Sequence, residues 1–290
     1  MGNPNENSFK ESQVLNIVTV NYGTSKETLE MISSIEESIG DFFTYCNIVV
    51  VDNNSSCTEI EMLDGVEKSN STSCVQLIKL EQNIGYFPAL NVGLGLLNQE
   101  NDSLTIVCNN DLIFDSVFFD NLSKCCVDEN VFAIAPSVKT INSIYQNPSM
   151  ADKPSKLRMM MYEFYYSNYF FGKLMLKIWR SLGLGIDSSI QKDLEERPIF
   201  IGIGAIYILT PNFFKRNKSL SYPLFLYGEE AFFSQQVYNT GGLILYKPAL
   251  EVLHLESVST KKIPSKNNYL LNKLAFQNYR KYFWNNKFRK

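Results

Sequence analysis

Short apolar runs alternate with polar loops and helical patterns along the first half of the chain. Four runs rich in β-branched and apolar residues predict buried strands at residues 14–20, 47–51, 75–80 and 104–107. Between them, residues 25–39 and 89–97 carry apolar side chains at helical spacing, and Gly40 ends the first helix. This order of strand, loop, helix and strand is typical of a parallel sheet with helices on both faces.

Polar side chains follow each of these four strands: Asn21, Asp52, Asn83 and Asp111. Any one of them is ordinary turn or cap chemistry, but their repetition at one edge of a sheet favours a ligand crevice. In Asn109-Asn110-Asp111, a carboxylate follows two amides directly after a buried strand. Such a cluster suits a hard divalent cation and the phosphates that it carries, and a simple turn is the alternative.

Glycine-rich phosphate loops are absent from the expected places. A dinucleotide site of the Rossmann type needs G-x-G-x-x-G after the first strand, where only Gly23 is present, and no P-loop motif occurs. Neutralisation of phosphate charge by a metal ion is therefore the simpler expectation.

The second half of the chain holds the remaining candidate chemistry. Residues 198–209 predict a strand that contains Gly202 and Gly204, and glycines allow a ligand or another backbone to approach closely. The acidic pair Glu229-Glu230 begins a helical pattern that Gly241-Gly242 ends. Further strands are predicted at residues 243–246 and 249–255, and the latter holds His254, the only histidine of the sequence.

Composition narrows the class of protein. The sequence has 290 residues, of which 45% are hydrophobic, so it can bury a large core, and its net charge of -3 argues against nucleic-acid binding. Six scattered cysteines without metal spacing indicate a reducing, cytoplasmic environment. Residues 1–13 lack an apolar segment and no apolar run is long enough to span a bilayer, so we expect neither a signal peptide nor a transmembrane helix.

Two segments combine aromatic and basic residues. Residues 156–179 are crowded with Met, Tyr and Phe and carry several Lys and Arg, which fits either a helix at a membrane interface or an aromatic lid packed on the domain. Residues 261–290 have no acidic residue and predict a basic amphipathic helix with Leu270, Leu274, Trp284 and Phe288 on its apolar side. Attachment to an anionic membrane surface is one expectation for this tail, and packing on its own domain or on a second subunit of a homo-oligomer is the other.

With these segments in order, the chain resembles family 2 glycosyltransferases of the GT-A fold over roughly residues 14–260. The matching segments are IVTVNYGTSKETLE, VVVDNNSS, NIGYFPALNVGL, CNNDL, GIGAIYILTPNFF, FLYGEEAFFSQQV and GGLILYKPALEVLHLESVS. The resemblance implies an α/β fold with a Rossmann-like, mostly parallel central sheet. It also implies a catalytic domain at 1–260, with a nucleotide-binding half at 14–115 and an acceptor half at 116–260, before the helical tail at 261–290.

The resemblance also implies roles for individual residues. Residues near the nucleotide-sugar donor would be Thr19, Asn21, Tyr22, Asp52, Asn83, Gly85, Asn109 and Asn110, with Asp52 accepting a hydrogen bond from the pyrimidine base. Asp111 and His254 would bind Mg²⁺ or Mn²⁺ on the diphosphate, and Gly202 and Gly204 would line the acceptor side. The pair Glu229-Glu230 matches the Glu-Asp pair that supplies the catalytic base.

Two departures from the family pattern matter. Asn109 stands where a D-x-D motif has its first carboxylate, so Asp111 alone is left for the cation. Glu230 stands where Asp is usual, so the base is either Glu229 or Glu230, and we favour Glu230.

The chemistry that the resemblance implies is an inverting transfer of a sugar from a UDP- or dTDP-linked donor to a hydroxyl of a saccharide. Within the family, the chain resembles bacterial rhamnosyl- and galactofuranosyltransferases of surface polysaccharide synthesis. This resemblance implies an acceptor on a polyprenyl lipid at the inner face of the cytoplasmic membrane. A sugar nucleotidyltransferase and a non-catalytic scaffold with the same fold are the alternatives.

Overall fold

Ten β-strands form one mixed sheet in the described part of the chain. The computed structural model describes residues 14–69, 71–97, 103–181, 191–256 and 265–284. The strands are β1 (Val14–Asn21), β2 (Tyr45–Asp52), β3 (Lys68–Ser69), β4 (Ser73–Lys79), β5 (Leu104–Asn109), β6 (Leu112–Ile113), β7 (Val131–Thr140), β8 (Arg197–Ile199), β9 (Ile206–Leu209) and β10 (Leu243–His254). Their order across the sheet is β3-β4-β2-β1-β5-β9-β7-β10-β6, and β8 pairs with β10.

Helices cover both faces of this sheet. They are α1 (Ser25–Ser38), α2 (Cys57–Met62), α3 (Tyr86–Leu94), α4 (Ser116–Ser123), α5 (Lys156–Ser167), α6 (Tyr169–Ser181), α7 (Pro211–Phe214), α8 (Glu229–Asn239) and α9 (Ser265–Trp284). The buried strands expected from the sequence correspond to β1, β2, β4 and β5, so the predicted α/β architecture is confirmed.

Parallel pairing in the first half of the sheet brings three strand ends together. β4, β2, β1 and β5 are adjacent and parallel. In register, Asn21 lies opposite Asp52, and Val20 lies opposite Asn109. The loops that follow β1, β2 and β5 therefore share one edge of the sheet, which is the edge where open α/β sheets bind ligands.

The second half of the sheet differs from the pattern read in the sequence. Residues 198–209 do not form one strand: β8 and β9 are separated by the irregular segment 200–205, which contains Gly202 and Gly204. The predicted strands at 243–246 and 249–255 are one strand, β10, with a register shift against β7 between Lys247 and Glu251. β9 runs antiparallel to both β5 and β7 and so joins the two halves.

Alternating side chains of the central strands fill two cores, one on each face of the sheet. In β1, Leu15 and Ile17 pack into the core under α1 and α4, whereas Val18 and Val20 pack into the core under α3 and α8. Because both faces are covered, the strands carry the continuous apolar runs that the sequence shows.

The C-terminal helix α9 packs on its own domain. Tyr269, Ala275 and Phe276 are buried, and the Tyr269 hydroxyl donates a hydrogen bond to the backbone oxygen of Tyr165 in α5 at 2.9 Å. For the tail at 261–290, the sequence left open membrane attachment and packing on its own domain, and α9 shows the packing. Residues 257–264 and 285–290, which include Phe288, lie outside the described residues. In the ranges given above, no helix combines the length and apolar character needed to cross a membrane.

Close packing of α3 on the sheet predicts that alanine substitutions at two glycines affect stability differently. A Cβ at Gly93 would lie 2.4 Å from Cγ1 of Val18, in the middle of β1, whereas one at Gly95 would meet nothing closer than 3.4 Å. Alanine improves helix propensity by about 1 kcal/mol, but overpacking costs roughly 1–3 kcal/mol. We expect Gly93→Ala to lower the free energy of unfolding in urea and Gly95→Ala not to do so. Equal urea midpoints for the two variants would contradict the packing described here.

Candidate active site

A buried network of amides and hydroxyls joins the ends of β1, β2 and β5. The Asn21 amide nitrogen donates to Oδ2 of Asp52 at 2.7 Å. Its oxygen accepts from Oγ1 of Thr28 at 3.0 Å and from the amide nitrogen of Asn110 at 3.2 Å. The Asn110 amide also donates to Oγ1 of Thr24 at 2.7 Å. Since every buried polar group needs a partner, this network fixes the three loops relative to one another.

Three residues predicted to contact the donor are enclosed by protein, and two of them, Asn21 and Asp52, belong to this network. Thr19, Asn21 and Asp52 are fully buried. Thr19 donates to the backbone oxygen of Cys108, and Oδ1 of Asp52 accepts the backbone N–H of Ser55 at 2.9 Å. The structure thus places these side chains beneath the cavity, where they shape its floor; direct contact of Asp52 with a base stays a prediction.

Above the network lies a cavity of about 680 Å³. Its walls come from both halves of the sheet and include the remaining predicted residues except Gly202. The lining residues are Val20, Tyr22, Thr24, Asn53, Asn83, Gly85, Tyr86, Asn109, Asn110, Asp111, Gln146, Ile203, Gly204, Ala205, Phe225, Leu226, Tyr227, Glu229, Glu230, His254 and Glu256. A cavity of this size fits a nucleotide-sized ligand.

One end of the cavity is built from amides and backbone. Asn53 donates to Oδ1 of Asn83 at 2.9 Å and accepts the backbone N–H of Ile84 at 2.9 Å, which ties the loop after β2 to the loop after β4. Gly85 has a left-handed backbone, with φ of 94°, and a Cβ there would lie 2.4 Å from the backbone oxygen of Phe225. Glycine is therefore required for the segment around Phe225 to close this side.

Asp111 and His254 meet at the other end. Nε2 of His254 lies 3.2 Å from Oδ1 of Asp111, and both residues are buried. β6 pairs with β10 antiparallel and puts His254 opposite Leu112, so the sheet itself brings the two residues together. The sequence-based expectation that Asp111 and His254 are neighbours agrees with this geometry.

The hydrogen bonds of Gln146 determine which nitrogen of His254 carries the proton. The Gln146 amide nitrogen donates to Oε1 of Glu256 at 2.9 Å, and a carboxylate can only accept. The Gln146 oxygen therefore faces Nδ1 of His254, at 2.8 Å, and Nδ1 must be the donor. In the neutral ring this leaves the lone pair of Nε2 directed toward the Asp111 carboxylate.

This pair fits a divalent cation. A lone pair and a carboxylate oxygen at 3.2 Å repel each other unless a proton or a cation lies between them. One carboxylate and one imidazole are ligands that Mn²⁺ accepts. The described residues contain no cluster of three or more Asp, Glu, His or Cys that could hold a metal. A cation held by Asp111 and His254 would take its other ligands from a diphosphate and water, as such ions commonly do.

Glu229 and Glu230 lie at the start of α8 and face the cavity. Two left-handed residues precede them, Tyr227 with φ of 70° and Gly228 with φ of 85°, and turn the chain into the helix. The Glu229 carboxylate accepts the backbone N–H of Tyr227, and the Glu230 carboxylate accepts that of Gly204. A Cβ at Gly204 would lie 2.7 Å from Oε1 of Glu230, so this glycine makes room for the carboxylate.

Burial changes the protonation of the acidic pair. Burial, assisted by the charge of Glu230, raises the pKa of Glu229 from 4.5 to about 7. Burial also raises the pKa of Glu230, against hydrogen bonds from backbone N–H groups. Carboxylates with raised pKa values in a cleft are suited to accept a proton near neutral pH.

The other predicted residues occupy different places. Tyr22 lines the cavity with 51% of its surface exposed. Gly202 packs against Tyr207, whose ring carbon would lie 2.9 Å from an added Cβ, and it does not line the cavity. Its predicted contact with the acceptor has no support from this position.

Several cavity residues were not identified from the sequence. Asn53 follows Asp52 directly in a polar loop, and the sequence does not show which of the two side chains lines a cavity. Tyr86 begins α3, and its buried hydroxyl has no hydrogen-bond partner among the described residues, which leaves it able to donate to a ligand. Gln146 lies in an irregular segment without periodicity, where no sequence signal marks it.

Comparison with solved structures identifies the fold. A crystal structure of GalNAc-T7 with UDP, GalNAc and Mn²⁺ matches with a TM-score of 0.55 at 14% identity, over 95% of this chain and 50% of that chain. The mannosyltransferase PcManGT from Pyrobaculum calidifontis, in complex with GDP-Man and Mn²⁺, matches with a TM-score of 0.53 at 12% identity, over 86% of this chain and 59% of that chain. The chain has the GT-A glycosyltransferase fold.

At these identities the GT-A likeness concerns the fold alone. The chain spans 50% and 59% of the length of the two structures named here. No protein-family model and no curated protein matches the sequence. The roles of individual residues in this GT-A fold therefore rest on the geometry of the cavity.

The orientation of His254 predicts a role for Gln146. Leucine at position 146 removes the acceptor for Nδ1–H, so the ring no longer holds Nε2 toward Asp111. Loss of such a supporting hydrogen bond typically weakens metal binding about 10–100-fold. We expect Gln146→Leu to weaken Mn²⁺-dependent binding of UDP or GDP by that factor, and Asp111→Asn to abolish it, in calorimetric titrations with and without Mn²⁺.

Two further variants control this experiment. Gln146→Glu combined with Glu256→Gln keeps an acceptor for Nδ1–H without placing two carboxylates in contact, and it should retain more of the metal dependence than Gln146→Leu. Gln76→Leu, at an exposed position in β4, should change nothing. Unchanged Mn²⁺ dependence in both Gln146→Leu and Asp111→Asn would remove the Asp111–His254 end from the metal site.

Proposed function

We propose that this protein is an inverting, metal-dependent glycosyltransferase that moves a sugar from a nucleoside diphosphate to an acceptor hydroxyl. The observation that carries the proposal is the meeting, in one cavity, of the Asp111–His254 pair and the Glu229–Glu230 pair. The first pair suits the charge of a diphosphate with its cation. The second suits the proton of an attacking hydroxyl.

Donor binding is assigned to the end of the cavity formed by β1, β2, β4 and β5. Asn53, Asn83 and Gly85 present amide and backbone groups there, and Tyr22 presents an aromatic ring. UDP, dTDP and GDP are all candidate nucleotides for this end. Asp111 and His254 would hold a divalent ion, which would supply Lewis-acid stabilisation of the leaving diphosphate.

Glu230 is assigned as the general base. Its carboxylate is held by the backbone N–H of Gly204 and lies on the cavity wall beside Glu229. In the transfer step the acceptor oxygen forms a bond to C1 of the sugar, the bond between C1 and the diphosphate oxygen breaks, and the acceptor proton passes to Glu230. A single displacement of this kind inverts the configuration at C1.

The acceptor is proposed to be a saccharide on a polyprenyl carrier, in the synthesis of a bacterial surface polysaccharide. Support comes from the resemblance of the sequence segments to family 2 enzymes of that kind. Such an acceptor places the reaction at the inner face of the cytoplasmic membrane, with the protein attached peripherally.

The acidic pair provides the direct test of the proposed reaction. General base catalysis typically contributes ~10²–10⁴-fold, so Glu230→Gln should lower the rate of nucleoside diphosphate release in the presence of acceptor by at least about 100-fold. Its affinity for the nucleotide should be unchanged in titrations. Glu129→Gln, at an exposed position, is the matched control.

The result assigns the base within the pair. A large loss in Glu229→Gln with little loss in Glu230→Gln would move the role to Glu229. If no nucleotide sugar yields nucleoside diphosphate with any acceptor, while UDP and GDP still bind, the proposed transfer is wrong and a non-catalytic fold remains.

A pH profile follows from the raised pKa of Glu229. Glu230, Tyr86, Tyr222 and Tyr227 surround this carboxyl group and none of them supplies a positive charge. The rate should therefore rise with pH through about 7 as the pair loses its proton. In Glu229→Gln the rise should move to lower pH, because Glu230 then ionises without a charged neighbour.

Stability should show the opposite dependence on pH. Because the folded state binds the Glu229 proton more tightly than the unfolded state, its contribution is complete below about pH 4.5 and is lost as pH rises through about 7. Melting temperatures measured across this range should fall less in Glu229→Gln than in the parent. Parallel curves for the two proteins would contradict the raised pKa.

A further inference from the structure

An exposed apolar stripe runs along α5. Leu157, Met160, Met161 and Phe164 follow the spacing i, i+3, i+4 and i+7, which places them on one side of the helix. Their exposed fractions are 68%, 58%, 37% and 55%. Single exposed apolar residues need no explanation, but a stripe over the full helix does.

α6 extends the stripe into a surface. Phe170, Phe171, Leu174 and Ile178 are also exposed. The rings of Phe164 and Phe171 are in contact, with centroids 5.8 Å apart, and so join the two helices. We call the exposed residues of both helices the hairpin surface: Leu157, Met160, Met161, Phe164, Phe170, Phe171, Leu174 and Ile178.

The opposite side of the hairpin already has its packing partner. Tyr166 stacks on Phe276 of α9 with ring centroids 4.9 Å apart, and Tyr162 contacts the same ring edge-on at 6.1 Å. Tyr269 of α9 donates to the backbone oxygen of Tyr165. The hairpin is thus anchored by its tyrosines, and the hairpin surface is not needed for that contact.

Basic side chains accompany the hairpin surface. Lys156, Arg158, Lys173 and Lys177 are all exposed. The only acidic residue between positions 156 and 178 is Glu163, which lies 3.8 Å from Arg280 of α9. A protein with a net charge of -3 therefore presents a locally positive, apolar face.

The hairpin surface is connected to the cavity through α9. A Cβ at Gly228, the residue before Glu229, would lie 2.9 Å from the Cβ of Ala275 in α9. Tyr279 of α9 contacts the ring of Phe232 in α8. The helix that carries the hairpin on one side thus supports the acidic pair on the other.

We infer that the hairpin surface binds the surface of an anionic membrane. Exposed aromatic and aliphatic side chains flanked by Lys and Arg are the chemistry of an interfacial helix. A second copy of the chain fits less well, because a two-fold contact through this face would bring four basic residues against the same four. The inference deepens the proposed function. It rests on that function for one point, the lipid-linked acceptor that gives the protein a reason to bind a membrane.

Flotation with phospholipid vesicles tests the inference on the full chain. The parent should float with vesicles containing anionic lipid at low salt, and less at high salt. The double variant Phe170→Ser/Leu174→Ser should lower the bound fraction at least about tenfold. Lys173→Glu/Lys177→Glu should lower binding to anionic vesicles by a similar factor, because it replaces two positive charges near the surface with negative ones.

Matched controls distinguish binding through the hairpin surface from nonspecific binding through exposed apolar residues elsewhere. Val117→Ser/Ile141→Ser removes two apolar side chains that are 61% and 60% exposed elsewhere, and it should float like the parent. Melting temperatures of all variants confirm folding. A parent that stays in the soluble fraction at low salt, or an equal loss in the control, would overturn the inference.

Two more measurements distinguish the remaining outcomes. Sedimentation that shows a dimer in the parent and a monomer in Phe170→Ser/Leu174→Ser would assign the surface to a second copy instead. Release of UDP or GDP from nucleotide sugars, measured without vesicles, should be equal in the parent and the hairpin variants. If the parent binds vesicles but releases no UDP or GDP from nucleotide sugars, the proposed function is refuted and the inference about the hairpin surface is retained.

Discussion

The hydrogen bonds of Asn21 are the contact on which the site depends. This side chain is fully buried at the end of β1, donates to Asp52 at the end of β2 and accepts from Asn110 at the end of β5. A buried carboxylate without donors is costly, so Asp52 requires the Asn21 amide and the Ser55 backbone N–H. The three loops consequently have one arrangement, and the floor of the cavity has one shape.

On this floor, the two halves of the sheet supply different chemistry. The parallel half contributes amides, backbone groups and Asp111, and the described residues that line the cavity include no Lys or Arg. The half that contains β10 contributes His254 and, through α8, the acidic pair. A diphosphate in such a cavity would need a cation, and the orientation of His254 by Gln146 offers a ligand for one. Burial, together with the charge of Glu230, raises the pKa of Glu229. A metal is expected because the described residues that line the cavity include no Lys or Arg to balance a diphosphate.

The aromatic and basic segments serve packing and exposure at once. In the sequence, residues 156–179 fitted an interfacial helix and a packed lid equally well. In the structure, α5 uses its tyrosines to pack on α9 and directs Leu157, Met160 and Phe164 to solvent. The structure therefore shows packing for the tyrosine side, and the interfacial interpretation stays a proposal for the exposed side. A one-dimensional pattern cannot separate them, because both sides are rich in aromatic residues.

Local chemistry was enough to predict the parallel half of the fold. Continuous apolar runs such as those of β1 and β5 arise only where a strand is covered on both faces, so strand positions and fold class were predictable. The residues that end those strands were predictable as a group because parallel strands end at one edge. The family resemblance added Glu229, Glu230 and His254, which no periodicity in the sequence distinguishes.

Only the tertiary structure decided which of these residues line the cavity. Asn21, Asn53 and Asn83 are all asparagines that follow strands, yet Asn21 is enclosed in the network with Asp52, whereas Asn53 and Asn83 line the cavity. Gln146 and His254 are 108 positions apart and meet at 2.8 Å. The sequence by itself determined the strands of the parallel half and the polar loops that follow them, because these depend on neighbouring residues. Side-chain direction and long-range pairing depend on how the strands assemble. The pairing of β10 with β6 and β7, for example, places His254 beside Asp111.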